Sequence, residues 1–211
     1  MRIGIIGAGH IGGTLARHFA RIGHEVAIAN SRGPETLQDL VAEIGGPVHA
    51  ATAREAAAFG DLIVVSIPFG RYRELPVDEL RGKVVVDTCN YYPSRDGHFA
   101  DLDDDATTSS EKLQQFTGAD VVKAFNAIYS ENLRDRARPP DQPGQPERLA
   151  IPISGDDDGA KGVVANLVRD IGFDPVDAGT LAQGGRKHQP GSSVYTAEVS
   201  ADEAVTLLRA A

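Results

Sequence analysis

Hydrophobic positions along this chain switch between two periods from the first residues onward. Residues 3–6 (Ile-Gly-Ile-Ile) read as a short strand, after which Leu15, Ala16, Phe19, Ala20 and Ile22 recur at helical spacing. Strand character returns at 25–29, and a helix follows over 34–44 with Leu37, Leu40, Val41 and Ile44 apolar. A short strand at 48–50 and a small helix at 52–59 come next. The run Asp-Leu-Ile-Val-Val-Ser-Ile at 61–67 is almost continuously apolar, as a strand covered on both faces must be, and Pro68 ends it. Short helical pieces are expected within 72–80, then a strand at 83–87. Residues 88–107 show no period, and loops of that length are usually functional or mobile. A helix at 109–116 and a strand at 120–125 precede a segment, 138–148, that holds Pro139, Pro140, Pro143 and Pro146. That segment reads as an exposed, partly disordered connection. Beyond it lie a strand at 149–154, a helix at 159–171, a strand at 173–177 and a closing helix at 201–208.

Such alternation predicts an α/β fold, a Rossmann-type doubly wound parallel sheet with a small α/β C-terminal extension. The expected organisation is a nucleotide-binding domain over 1–137, the proline-rich connection 138–148, and an extension over 149–211 packing on the same sheet. In open parallel sheets, ligands bind beyond the carboxyl ends of the strands. That rule selects residues 7–12, 30–32, 68–71, 88–92 and 126–130.

The first of these segments is Gly7-Ala8-Gly9-His10-Ile11-Gly12, a G-x-G-x-x-G turn between strand and helix. One glycine makes the tight turn, one admits a pyrophosphate, and one lets the helix pack on the strand. The helix directs its positive end and free N–H groups at the phosphates. At the tip of the second strand the chain reads Asn30-Ser31-Arg32-Gly33-Pro34-Glu35-Thr36, without the carboxylate that usually holds an unphosphorylated ribose. A carboxylate would repel a 2′-phosphate, whereas an Arg fork grips it, so the expected coenzyme is NADP(H). Ser31 and Arg32 are its expected contacts, with Thr36 close by; the competing reading makes Ser31 a helix cap and leaves Arg32 in solvent. The nicotinamide is expected near Ile67, Pro68, Phe69 and Asn90, with Phe69 either packing on the ring or anchoring the loop.

Composition narrows the partners. A formal charge of −9 over 211 residues disfavours nucleic acid and anionic membranes, because phosphate would be repelled. The lone Cys89 excludes an internal disulfide, and the six scattered histidines form no ligand motif, so no metal is expected. The first strand begins at once, and no apolar run is long enough to cross a bilayer; the expected location is the cytoplasm. Substrate contacts are expected from Cys89, Tyr91 and Asn126. Cys89 also reads as a small buried side chain. Lys123, within an apolar strand, is a weak candidate acid or base, since such a lysine more often snorkels to an edge or pairs with a carboxylate. Tyr91, Tyr92 and Tyr129 are the other candidates for a proton donor, and none of them stands out.

With those residues in place, the chain resembles the coenzyme F-420-dependent NADP oxidoreductase family, the NADPH:deazaflavin reductases. The likeness rests on 2–12, Ser31-Arg32, Ser66-Ile67-Pro68, Ser109-Ser110-Glu111, Val121-Val122-Lys123-Ala124-Phe125-Asn126, Gly155-Asp156-Asp157-Asp158 and Asp177-Ala178-Gly179. The resemblance implies NADP contacts at 8–11, Ser31, Arg32, Thr36, Phe69, Asn90 and Ser130. It further implies hydride transfer between nicotinamide and a deazaflavin stacked face to face, and a homodimer. The loop 89–97, the proline-rich insertion and the polar stretch 187–199 depart from the family pattern where a second substrate would bind. The expected acceptor is therefore a deazaflavin, a flavin or a small carbonyl or imine compound. The alternative is a non-catalytic NADPH sensor, since hydride transfer to a flavin needs no diagnostic residue.

Overall fold

The computed structural model describes residues 1–138 and 147–210. Among them, β1 (Arg2–Ile6), β2 (Glu25–Ala29), β3 (Val48–Ala50), β4 (Leu62–Val65), β5 (Val84–Asp87), β6 (Asp120–Lys123), β7 (Ala150–Gly155) and β8 (Asp174–Gly179) form one sheet. Its order is β3-β2-β1-β4-β5-β6-β7-β8. The period-two alternation sends Ile3, Ile5, Leu62, Val64, Val86 and Val122 into one core, and Ile6, Ile63, Val65, Val85 and Val121 into the other. Both faces are apolar, so both must be covered.

The helices are α1 (His10–Arg21), α2 (Gln38–Ile44), α3 (Ala53–Phe59), α4 (Val77–Leu80), α5 (Pro93–Asp96), α6 (Ala100–Asp103), α7 (Ser109–Thr117), α8 (Ser130–Asp135), α9 (Asp158–Asp170), α10 (Gly184–Lys187) and α11 (Ala201–Ala210). Leu15, Ala16 and Phe19 of α1 and Val164 and Val168 of α9 fill the first core; Leu80 of α4 and Leu113 of α7 fill the second. Thr52 and Thr108 start α3 and α7 with reciprocal capping boxes to Glu55 and Glu111.

Strand direction departs from the parallel expectation at one point. β1 to β6 are parallel, but β7 pairs antiparallel with β6 through Val122↔Gly155 and Lys123↔Ser154, and β8 follows β7. A parallel return needs a crossover to the amino edge of the sheet; here the chain re-enters from the carboxyl edge. Only the end of β7 overlaps β6, so its first residues stand beyond the carboxyl ends of the other strands as a wall.

Local differences have local causes. The 34–44 helix opens as a 3-10 turn, Pro34–Leu37, before α2. The 88–107 segment is fixed rather than loose, because Phe99 and Tyr91 pack on buried Phe69 and carry α5 and α6 with them. Neither α8 nor α10 has enough apolar positions to show a period. Most of the proline-rich connection, 139–146, lies outside the described residues. Among the described residues, no helix is long and apolar enough to cross a membrane.

Candidate functional site

The β1–α1 turn forms an open cradle. Gly7 has φ 116°, and a Cβ there would lie 2.0 Å from the Ser66 carbonyl oxygen; at Gly12 it would lie 1.9 Å from that of Gly7. Neither position admits a side chain. Over Gly9, by contrast, a Cβ would meet nothing within 4 Å, so the space above this residue is free for a ligand. Gly9 is also the N-cap of α1 and supplies no side-chain cap. The unsatisfied N–H groups and the positive end of the helix therefore face that space.

Asn30 organises the tip of β2. Its Oδ1 accepts from the Arg32 and Gly33 N–H groups at 2.9 and 3.0 Å, and its Nδ2 donates to Thr36 Oγ1 at 2.8 Å. Thr36 in turn donates to the Gly33 carbonyl at 2.8 Å. This latch holds the Thr36 hydroxyl on the turn, beside Ser31 and Arg32. Ser31 does not cap a helix: the next one begins after Gly33. Arg32 is exposed and makes no ion pair among the described residues. Ser31, Arg32 and Asn30 line a cavity of about 540 Å³ with Gly7, Ala8, Gly9, Ile67 and Pro68, closed on its far side by Arg71 and Glu74. Those two are joined by a fork at 2.9 and 2.5 Å, so the Glu74 carboxylate is neutralised where it meets the cavity.

A second cavity, of about 420 Å³, lies beyond the tips of β5 and β6. His10, Ile11 and Ser130 line its near side; Asn90, Tyr92, Asn126, Tyr129, Tyr195 and Thr196 line the rest. Phe125 (φ 60°) and Thr196 (φ 59°) line it in left-handed backbone, a cost of the kind that concentrates at functional sites.

A chain of hydrogen bonds runs behind this cavity. Ser154 Oγ lies 2.5 Å from His188 Nε2, and His188 Nδ1 lies 2.9 Å from Asn126 Oδ1. Asn126 Nδ2 donates to Asn90 Oδ1 at 3.0 Å and to the His188 carbonyl at 2.7 Å. Asn90 Nδ2 donates to the Asn126 carbonyl at 2.8 Å and to the Tyr195 hydroxyl oxygen at 3.3 Å. These roles fit a neutral His188 carrying its proton on Nδ1. Complete burial, aided by the nearby Lys123 cation, pushes its pKa down to about 3. Both Asn90 N–H groups are thus occupied, and one Oδ1 lone pair remains for a carboxamide donor.

Several expected contacts turn inward. Phe69 is fully buried and stacks on Tyr72 at 4.9 Å, so its ring cannot pack on a nicotinamide. The Cys89 thiol is buried against the Val65 carbonyl at 3.6 Å, and burial raises its pKa well above the usual thiol range. It cannot reach a substrate. The Tyr91 hydroxyl donates to Asp103 at 2.6 Å, and Tyr91 lines a separate cavity of about 280 Å³ with Asn90 rather than the second one. Lys123 is paired as well: its Nζ donates to the Cys89 carbonyl at 3.1 Å and to Ser110 Oγ at 3.2 Å, with Asp87 Oδ2 at 4.0 Å. Asp87 accepts from Cys89 N–H at 2.8 Å and from the Ser110 hydroxyl at 2.7 Å. The set ties β5, β6 and α7 beneath the loop that carries Asn90.

Sequence reasoning missed Tyr195 and His188. The strand-tip rule looks only at loops that follow parallel strands, whereas Tyr195 and His188 arrive from the segment after β8.

Residues 2–91 match the family model for coenzyme F-420-dependent NADP oxidoreductases. Protein SMa0349 of Sinorhizobium meliloti is 31% identical, with a TM-score of 0.79 over 95% of both chains. A candidate F-420-dependent NADP-reductase of Arthrobacter sp. FB24 is 27% identical, with a TM-score of 0.70 over 88% of both chains. The metalloreductase STEAP3 of Rattus norvegicus is 30% identical over 194 residues, 86% of this chain and 34% of that protein. The chain spans 34% and 46% of the lengths of the curated relatives it matches. In its glycine cradle and Ser31-Arg32 strand tip the chain is similar to the coenzyme F-420-dependent NADP oxidoreductase family over residues 2–91, and over nearly its full length it is similar to SMa0349 and the Arthrobacter protein.

Proposed function

We propose that the chain binds NADP(H) along the carboxyl edge of the sheet and passes a hydride to or from a deazaflavin, flavin or small carbonyl or imine acceptor. The observation that carries this reading is the open space over Gly9, continuous with a cavity lined by Arg32, an arginine without an ion partner among the described residues. Ser31 and Arg32 hold the 2′-phosphate, and residues 7–12 cradle the pyrophosphate. Ile67, Pro68, the Phe69 backbone, Asn90 and Ser130 surround the nicotinamide. Bound NADPH supplies the hydride from its nicotinamide ring. The chain's own residues orient that ring and exclude water, and holding two rings in reacting geometry accounts for most of the rate. Residues 1–137 form the coenzyme domain, 149–211 the extension, and the chain acts in the cytoplasm as a homodimer.

Fluorescence titration with NADPH and NADH tests the coenzyme. Arg32→Ala removes a charge-assisted contact worth about 1.5–3 kcal/mol, so the NADPH Kd rises roughly 10- to 150-fold, toward the lower figure in salt. The NADH Kd stays within threefold; equal effects on both would refute the assignment. Tight NADPH binding with no oxidation by any deazaflavin, flavin or carbonyl acceptor would mark a coenzyme sensor instead.

A further inference from the structure

Two phenols meet at the wall of the second cavity. The Tyr92 and Tyr195 hydroxyl oxygens lie 2.5 Å apart, and Asn90 Nδ2 donates to Tyr195 at 3.3 Å. Only one of the two hydroxyl protons can sit between the oxygens. Among the described residues, neither oxygen has a further acceptor within hydrogen-bond distance, so one O–H is left to a ligand. Tyr195 accepts from Asn90, and the proton between the phenols can belong to either oxygen; with Tyr92 as the donor, each donated bond polarises the next and the Tyr195 O–H is the one left to a ligand. The Arg95 guanidinium sits over the Tyr92 ring at 5.0 Å and donates to the Asn90 carbonyl at 2.6 Å, which fixes the pair. No Asp, Glu, Lys or Arg lines this cavity among the described residues, whereas aromatic and aliphatic side chains do. An anionic acceptor would find no fixed counter-charge there; a neutral, flat one fits.

We propose that Tyr195, assisted by Tyr92, is a catalytic residue that donates to the carbonyl oxygen of a neutral aromatic aldehyde or ketone bound in this cavity. The inference rests on the nicotinamide position given above. The hydride forms the new C–H bond at the carbonyl carbon, and the C=O π pair moves to oxygen. The Tyr195 O–H bond breaks as the product O–H bond forms. Tyr92 returns a proton to Tyr195 and is itself replenished from water, so carbonyl, NADPH and a proton become alcohol and NADP+. Burial raises the Tyr195 pKa and keeps this phenol protonated before the step.

The probe is 1-phenyl-1,2-propanedione, a neutral aryl diketone. The wild-type chain oxidises NADPH with it. Tyr195→Phe lowers kcat by about 100-fold, as expected for loss of a positioned acid, and abolishes the solvent deuterium isotope effect. The NADPH Kd stays within twofold, and calorimetry shows severalfold weaker diketone binding to the free chain. Tyr92→Phe lowers kcat less and serves as the second variant should Tyr195→Phe fold poorly. Turnover of either variant within threefold of wild type would overturn the proposal. So would NADPH oxidation by flavin mononucleotide but not by the diketone, which leaves the coenzyme assignment standing. Absence of NADPH binding would overturn that assignment, and this inference with it.

Discussion

Lys123→Met separates a structural role for this lysine from a chemical one. The Lys123 and Asp87 side chains are 2% and 1% exposed and 4.0 Å apart. At that separation, with an effective dielectric constant of about 20, their attraction is about 4 kcal/mol. Methionine leaves Asp87 buried with only the Cys89 N–H and the Ser110 hydroxyl to hold its charge. Breaking a buried pair in this way costs about 3–5 kcal/mol. In a chain of this size each kcal/mol moves Tm by about 2–4 °C, so the midpoint falls by roughly 6–20 °C. The pair also anchors the backbone at Cys89, one residue before Asn90, so the NADPH Kd rises severalfold. Combining Lys123→Met with Asp87→Asn removes the stranded charge and recovers most of both losses. Thermal and urea unfolding, with coenzyme titration of all three variants, provide the measurement. A Lys123→Met protein that melts within 2 °C of wild type, yet has lost turnover while binding NADPH normally, would refute this reasoning and make Lys123 an acid or base.

Two further outcomes follow from geometry and burial. Gly9→Ala places its methyl in open space, so Tm drops by a few degrees at most while NADPH affinity falls at least tenfold. Gly12→Ala drives its methyl to 1.9 Å from the Gly7 carbonyl oxygen and destabilises the fold itself; equal melting points for the two variants would contradict the cradle. His188 has a folded-state pKa of about 3 against 6.5 in the unfolded chain, so the unfolded state binds the extra proton. Its contribution is intact above about pH 6.5 and is lost by about 1.4 kcal/mol per pH unit as the pH falls toward 3. Urea unfolding of wild type and His188→Gln between pH 7.5 and 4.5 measures that slope, and identical slopes would disprove the buried neutral imidazole.

The sheet was readable because its strands obey a simple rule. Runs such as Leu62–Val65 are apolar at every position, and a strand covered on both sides must be. The glycine cradle was readable for the same kind of reason, since backbone sterics at Gly7 and Gly12 admit a single residue type. Periodicity carries no sign of strand direction, so the reversal at β7 could not be seen. Tyr195 and His188 escaped notice because they act through contacts with Tyr92, Asn90 and Asn126, all at least 60 residues away in sequence. Cys89 and Phe69 were misplaced by the converse error: both are buried, and proximity to a strand tip does not say which way a side chain turns.

The reversal of β7 has an electrostatic outcome. A helix that follows a parallel strand begins at the carboxyl edge and aims its positive pole there, as α1 does. Because β7 runs the other way, α9 starts at the opposite edge, with Asp157 and Asp158 at its head. The last third of the molecule therefore closes one flank of the groove without aiming the positive pole of α9 at it. In a polypeptide with nine surplus negative charges, attraction for phosphate is confined to the dinucleotide half, and the opposing half stays electrically quiet.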